Sequence, residues 1–387
     1  MSPAERLSKV VDAVAGRRAV QDPNNLPWDP NSSQFPSRKE LPKIPGAPDD
    51  AAWVWGKDDQ IGRLNLLTPA RVKAAAAEIK TGEMVRLDLP LDVPKTPSFG
   101  REVFQHKIKP LGSGVGYDDL YILNTQSGTQ WDGFRHRDAK NNPKFAHLDS
   151  KCFYNGVRSP SPRDETDNTK ATSADIEGPN PTSRCSIHHW STHCIASRAV
   201  LLDYKSYAEA HNINYDPYTS HAISYADLTA CGKYQNLDIR PESAGGDLRP
   251  GDILLVRSGF VQRYNELTPS QRESAAQRTG ADIAWAGLKQ EEEILDWLHD
   301  SYFAAVAGDS PTFECWPVSA TEGGRGFIGY MHQNILALWG MPLGEMWDLE
   351  RVAEVCKKER RWTFFLTSAP ANVVGGVSSH PNATAIF

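Results

Sequence analysis

The sequence predicts a mixed protein of the α/β (α+β) class. Three observations carry this. Short apolar runs of strand length recur along the chain, and segments with helical spacing and acidic starts lie between them. Neither a G-x-G-x-x-G nor a P-loop pattern is present, which removes the usual signs of a nucleotide-binding sheet.

In chain order, residues 1–20 read as a short amphipathic helix. Residues 21–50 carry seven prolines and few aliphatics. Proline fixes φ and removes a donor, so this stretch is expected to be an extended arm rather than a packed element. The expected organisation is therefore an N-terminal helix and proline-rich arm over 1–50, followed by one domain over 51–387. A helix is expected next, with Thr68 as N-cap, Pro69 in the first turn and Gly82 as its stop. Strands are expected at 84–89 (MVRLDL), 120–123 (LYIL), 199–203 (AVLLD), 252–257 (DILLVR), 303–307 (FAAVA) and 362–367 (WTFFLT). Helices are expected at 288–300, where Glu291, Glu292 and Glu293 suit the positive end of the dipole, and at 348–361. Residues 155–183 are polar and rich in Pro, Ser and Gly, and read as a long excursion or lid.

Composition excludes several classes of function. The chain has 387 residues with 42 Lys+Arg against 48 Asp+Glu, a formal net charge of −6, and it lacks a basic block of the kind that displaces counterions from nucleic acid. No run approaches the ~18 apolar residues of a membrane span. None of the six cysteines forms C-x-x-C, so neither a disulfide framework nor a cysteine zinc site is expected. Glu5, Lys9, Asp12 and Arg17 interrupt the first twenty residues, which therefore lack the apolar core of a signal peptide. A cytoplasmic protein is expected.

The segment Asn124 to His136 (NTQSGTQWDGFRH) concentrates the chemistry. In extended chain, residues at even separation share a face. Gln126, Gln130, Asp132 and His136 are 4, 2 and 4 apart, so two amides, a carboxylate and an imidazole can reach one point. Gly128 and Gly133 permit bending or close approach. Trp131 falls on the opposite face by alternation. A polar strand edge facing solvent has the same spacing.

The segment resembles the signature of the cyclase family, H-x-G-T-H-x-D-x-P-x-H, which includes bacterial-type kynurenine formamidases and isatin hydrolases. Gly128, Thr129, Asp132 and His136 match it. Further stretches are similar in the same order: 195–204 (IASRAVLLDY), 251–260 (GDILLVRSGF), 304–317 (AAVAGDSPTFECWP), 332–345 (HQNILALWGMPLGE) and 370–386 (PANVVGGVSSHPNATAI). The resemblance implies a swivelling β/β/α fold with a mixed sheet core and flanking helices. It also implies a small-molecule substrate, hydrolysis of a cyclic or aryl amide or ester, and assembly as a homodimer or homotetramer.

By the same resemblance, Gln126 and Gln130 stand where the signature has its two ligand histidines, and Phe134 stands where it has proline. Asp132 is kept, and His332 and Glu345 match the distal ligands. Two readings stay open. In the first, Asp132, His332 and Glu345 hold a divalent ion (Mn²⁺, Mg²⁺ or Zn²⁺), with a bias towards Mn²⁺ or Mg²⁺ because an amide oxygen is a poorer zinc ligand than imidazole. In the second there is no metal. His136, Asp132, His332 and Glu345 then form an acid/base cluster for a lyase, isomerase or cyclase acting on an aromatic or polyketide-like molecule, with Gln126 and Gln130 binding its carbonyl. A ligand-binding pseudoenzyme is a third possibility. Trp131 is carried as a substrate-side aromatic, and Trp316 lies in the stretch resembling the substrate loop. His189 and His193 share a helical face, but without a neighbouring glutamate they read as surface or packing residues. His147 reads as a loop residue and His380 as a residue near the Gly375–Gly376 turn.

Overall fold

The computed structural model describes residues 20–112, 114–136, 153–157, 176, 181–317 and 330–387. The expected helix before residue 20, His147 and most of the 155–183 excursion lie outside the described residues.

Thirteen strands are present among the described residues. They are β1 (Met84–Arg86), β2 (Gln105–Leu111), β3 (Gly116–Ile122), β4 (Gln130–Asp132), β5 (Ile195–Leu202), β6 (Ala222–Ile223), β7 (Ile253–Val256), β8 (Gly287–Leu288), β9 (Ala305–Gly308), β10 (Leu343–Glu345), β11 (Thr363–Ser368), β12 (Ser378–Ser379) and β13 (Ala383–Ile386). Nine of them form one open sheet in the order β1-β13-β11-β5-β7-β9-β10-β4-β12. The fold is mixed α/β, as expected. Strands β5, β7, β9 and β10 run parallel at its centre, and antiparallel pairs extend it on both sides.

The strand sequences explain this layout. A central parallel strand is covered on both faces and reads as a continuous apolar run. Ile253–Val256 and Ala305–Gly308 are buried at every position. The antiparallel β11 instead alternates half-buried and buried residues. The LYIL run belongs to β3, which pairs only with β2 in a two-stranded ribbon standing clear of the main sheet. Its residues are almost all exposed.

The helices follow their caps. Pro69–Ala75 starts at Thr68, as expected, but a 3₁₀ turn at Ala76–Glu78 ends it well before Gly82. There the Arg361 guanidinium takes the Glu78 carbonyl at 2.8 Å, and Ile79 is extended. The helix expected from 288 begins at Glu292, because Leu288 is committed to β8 and the Glu291 carboxylate accepts the Tyr225 N–H at 2.8 Å. Glu292–Asp300 and Glu350–Glu359 are both amphipathic and bury Ile294, Leu295, Leu298, Val352 and Val355. The proline-rich segment lies along the body of its own chain. Trp28 is buried near Phe35, Trp55 and Tyr302, and Arg38 bonds Asp296 at 2.7 Å.

One buried ion-pair hub ties helices to the sheet end. Arg257, just past β7, reaches Asp203 at 2.8 Å and Glu350 at 2.7 and 2.9 Å. Asp203 is fully buried and also caps the helix Tyr204–Ala210. Removing the cation leaves the buried Asp203 carboxylate with the Ser206 N–H and the Lys357 ammonium 3.7 Å away, so Arg257→Met is expected to cost about 3 kcal/mol in urea unfolding. A loss below about 1 kcal/mol would show that the hub contributes little.

Candidate metal centre

The site forms where β4 meets β10. The register sets Gln130 opposite Glu345, Trp131 opposite Gly344 and Asp132 opposite Leu343. Gln130, Asp132 and Glu345 therefore share one face of the sheet. The third contributor, His332, stands at the start of a π-helical turn, Gln333–Leu338, where the wider coil re-aims side chains. Asp132, His332 and Glu345 are all buried, and one ligand atom from each lies within 4.8 Å of the others. His332 Nε2 is 3.1 Å from Glu345 Oε1 and 3.6 Å from Asp132 Oδ2.

The glutamines complete the arrangement as donors. Gln126 Nε2 donates to Asp132 Oδ1 at 2.5 Å. Gln130 Nε2 donates to Glu345 Oε2 at 2.8 Å and to Asp132 Oδ1 at 3.3 Å. Gln126 is held in turn by Arg101, whose guanidinium takes its backbone carbonyl at 2.6 Å. One expectation is corrected here. The reading in which Gln126 and Gln130 have replaced the histidine ligand set does not hold, because the site keeps a His–Asp–Glu set with His332 retained. The physical reason is that buried carboxylates demand donors, and an amide N–H₂ meets that demand from outside the triad.

Electrostatics tie the three groups together. Burial alone would raise the Asp132 carboxyl. The charges of His136 and His332, helped by the hydrogen bond from Gln126, hold it below the usual carboxylate range. Burial and then repulsion from Asp132 push Glu345 up to about 7, against the opposing pull of His332. Burial works against protonation of His332, yet Glu314, Asp132 and Glu345 together raise it well above the ordinary imidazole range. The cluster is thus rich in negative charge with one imidazole to balance it.

A divalent cation fits this donor set. Two carboxylates and an imidazole suit Mn²⁺ or Zn²⁺. Asp132 Oδ2 and the amide oxygens of Gln126 and Gln130 are buried without a hydrogen-bond partner among the described residues. Buried oxygen lone pairs of this kind are costly unless something engages them.

The other residues singled out from sequence fall as follows. His136 is buried in the turn after β4, its N–H on the Gly133 carbonyl at 2.9 Å, and its charge bears on Asp132. Trp131 points to the opposite face, fully buried against Trp347 and Trp190, with its indole N–H on Ser368 at 2.9 Å. It is not brought to the cluster. Trp316 stacks on Tyr330 with ring centroids 4.9 Å apart and meets Phe99 edge-on. His189 and His193 each contact a backbone carbonyl, those of Ser183 and Cys194. His380 lines a small cavity with Asp88 and Thr129. Gly128 and Gly133 do give close approach, but to the protein's own carbonyls, Val93 and Val377. The sequence reading missed Glu314, fully buried at 2.8 Å from His332 Nδ1, and Phe313, whose N–H reaches Glu345 Oε1 at 3.1 Å. The available signal was a pair of acids, Asp309 and Glu314, set inside the mostly apolar and small-residue stretch 304–317.

A family model described as "Putative cyclase" matches residues 85–315. A crystal structure described as a novel cyclase superposes with a TM-score of 0.67 and 27% identity, over 87% of this chain and 99% of that one. Isatin hydrolase A from Ralstonia solanacearum gives a TM-score of 0.46 at 15% identity, covering 82% of this chain and 97% of the other. Isatin hydrolase A from Labrenzia aggregata, bound to benzyl benzoate, gives 0.45 at 13%, covering 78% and 93%. No curated protein sequence matches. No helix among the described residues is long and apolar enough to cross a membrane.

Proposed function

This chain belongs to the cyclase family, and on that footing we propose that it is an enzyme hydrolysing a cyclic or aryl amide or ester of a small molecule, with a divalent ion held by Asp132, His332 and Glu345. The observation that carries the reading is the buried His–Asp–Glu set with unengaged oxygens around it. A divalent ion bound there polarises a carbonyl and acidifies a water. The protein's own groups do the rest. Gln126 and Gln130 fix the carboxylate planes, and Asp132 stays ionised because His136 and His332 favour its charged form. His136, beside Asp132, carries a proton to the departing nitrogen or oxygen. The Trp316–Tyr330 pair offers a flat apolar wall for an aryl group. Assembly as a homodimer or homotetramer and a cytoplasmic location belong to the same proposal, supported by the family resemblance alone.

A second reading has its own support. A Glu345 carboxyl pushed up to about 7 is matched to moving protons at neutral pH. In that case His136 with Asp132 or Glu345 serves a metal-independent elimination, isomerisation or ring closure. Metal analysis with chelation and add-back separates the two. Under the hydrolytic reading, exhaustive chelation lowers turnover at least ~100-fold and Mn²⁺ or Zn²⁺ restores it. Turnover that survives chelation of a metal-free preparation sinks that reading in favour of the second.

A further inference from the structure

Behind His332 lies a third carboxylate that neither reaction scheme uses. Glu314 is fully buried, and its carboxylate sits 2.8 Å from His332 Nδ1, on the side of the ring opposite the cluster. An imidazole can offer a lone pair from one nitrogen only when the other carries the proton, and the partner of that second nitrogen decides which is which. We infer that Glu314 is the positioning residue of the site: it takes the Nδ1 proton of His332 in a hydrogen bond and so turns Nε2 towards Asp132 and Glu345. The inference rests on the metal reading for its consequence, but on the His332–Glu314 contact for its existence.

Among the described residues, Glu314 has no comparable second task. Burying a carboxylate costs several kcal/mol unless it is paired. Among the described residues, the side-chain partner of this carboxylate is His332. Its backbone is fixed independently. The Thr312 hydroxyl donates to the Glu314 carbonyl at 2.8 Å, Leu288 N–H reaches Phe313 O at 3.0 Å, and Cys315 N–H reaches Leu288 O at 2.9 Å. The same stretch sends the Phe313 N–H to Glu345 Oε1 at 3.1 Å. Two consecutive residues, pinned to β8, thus orient two of the three donors. A carboxylate on the far side of the ring also makes the imidazole a more basic ligand than an amide would.

The test uses the full-length chain and three proteins: wild type, Glu314→Gln and Glu314→Asp. Calorimetric titration with Mn²⁺ and with Zn²⁺ gives the affinity, thermal unfolding reports the fold, and long-range ¹H–¹⁵N correlation on histidine-labelled, metal-free protein reads the His332 Nδ1–H shift, which reports its hydrogen bond to Glu314. Glu314→Gln is near-isosteric. It is expected to unfold within a few degrees of wild type and to bind either ion roughly 10–100-fold more weakly, with an altered His332 Nδ1 signal. Glu314→Asp, which keeps the charge with a shorter reach, is expected to recover part of both, which a packing role alone would not produce. Affinity within about twofold of wild type, together with an unchanged His332 spectrum in Glu314→Gln, overturns the inference. Should wild type itself take up neither ion, the metal reading fails, and the metal-free His332 spectrum still decides whether Glu314 positions the ring.

Discussion

Asp132→Asn is expected to lower kcat/KM by roughly 10³-fold or more and to abolish measurable divalent-ion affinity, while leaving the fold intact. Asp132 is the most constrained member of the cluster. It is fully buried, it is held ionised by His136 and His332, and it accepts N–H groups from both glutamines. The amide is nearly the same shape, so packing survives. It carries no charge, and its N–H₂ must face either the His332 side or the glutamine donors. The neighbours then readjust in a stated direction. His332 loses one of the partners that raise it, and Glu345 keeps the effect of burial but loses the repulsion from Asp132 that adds to it, so both move part of the way back towards their ordinary ranges. Steady-state kinetics across pH and calorimetry on the same preparation check this. Under the hydrolytic reading the loss appears in ion affinity first. Under the metal-free reading, the limb of the pH profile set by Glu345 moves to lower pH. Activity within about tenfold of wild type would remove Asp132 from the machinery under both readings.

How much of this could be read from the sequence depended on whether the controlling interaction was local. The parallel strands were legible because burial on both faces forces an unbroken apolar run, as in Ile253–Val256. The start at Thr68–Pro69 was legible because a cap is a local signal, and the stop at Asp300 fell where expected, but the start at Glu292 and the stop after Glu78 were not legible. The stop after Glu78 is set by Arg361, far away in sequence. The site segment shows the same division. Even spacing correctly put Gln130 and Asp132 on one face, yet the strand is only Gln130–Asp132, and turns bring Gln126 and His136 inward instead. The role of the glutamines was not legible at all. Gln130's partner Glu345 sits more than two hundred residues on, and only the β4–β10 register, set by tertiary pairing, makes Gln130 its donor. Glu314 was hidden for the same reason, since nothing in SPTFEC indicates that a histidine eighteen residues later will lean on it.

Gly133→Ala is expected to be the most damaging single methyl in the site, costing about 3 kcal/mol or more of stability together with the site's geometry. A Cβ at Gly133 would lie 2.1 Å from the Val377 carbonyl oxygen and 3.7 Å from Ile187 Cδ1. The obstacle is backbone, which has no rotamer to give way. Val377 immediately precedes β12, the edge strand that pairs Ser378 with Asp132. Relief must come from one side or the other. If β12 yields, a two-residue edge strand leaves the sheet and Asp132 loses its outer support. If β4 yields, Asp132 shifts against Glu345 and the 4.8 Å cluster opens. Both routes lower the unfolding midpoint, and the second also weakens ion binding in proportion, so urea denaturation and calorimetry on one variant tell them apart. Gly128 supplies the internal control. Its added Cβ would stand 2.9 Å from the Val93 carbonyl oxygen, again a backbone obstacle but a shallower overlap than at Gly133. Gly128→Ala should therefore cost clearly less than Gly133→Ala. Equal costs at the two positions would mean that the tight β4–β12 approach is not what holds Asp132 in place.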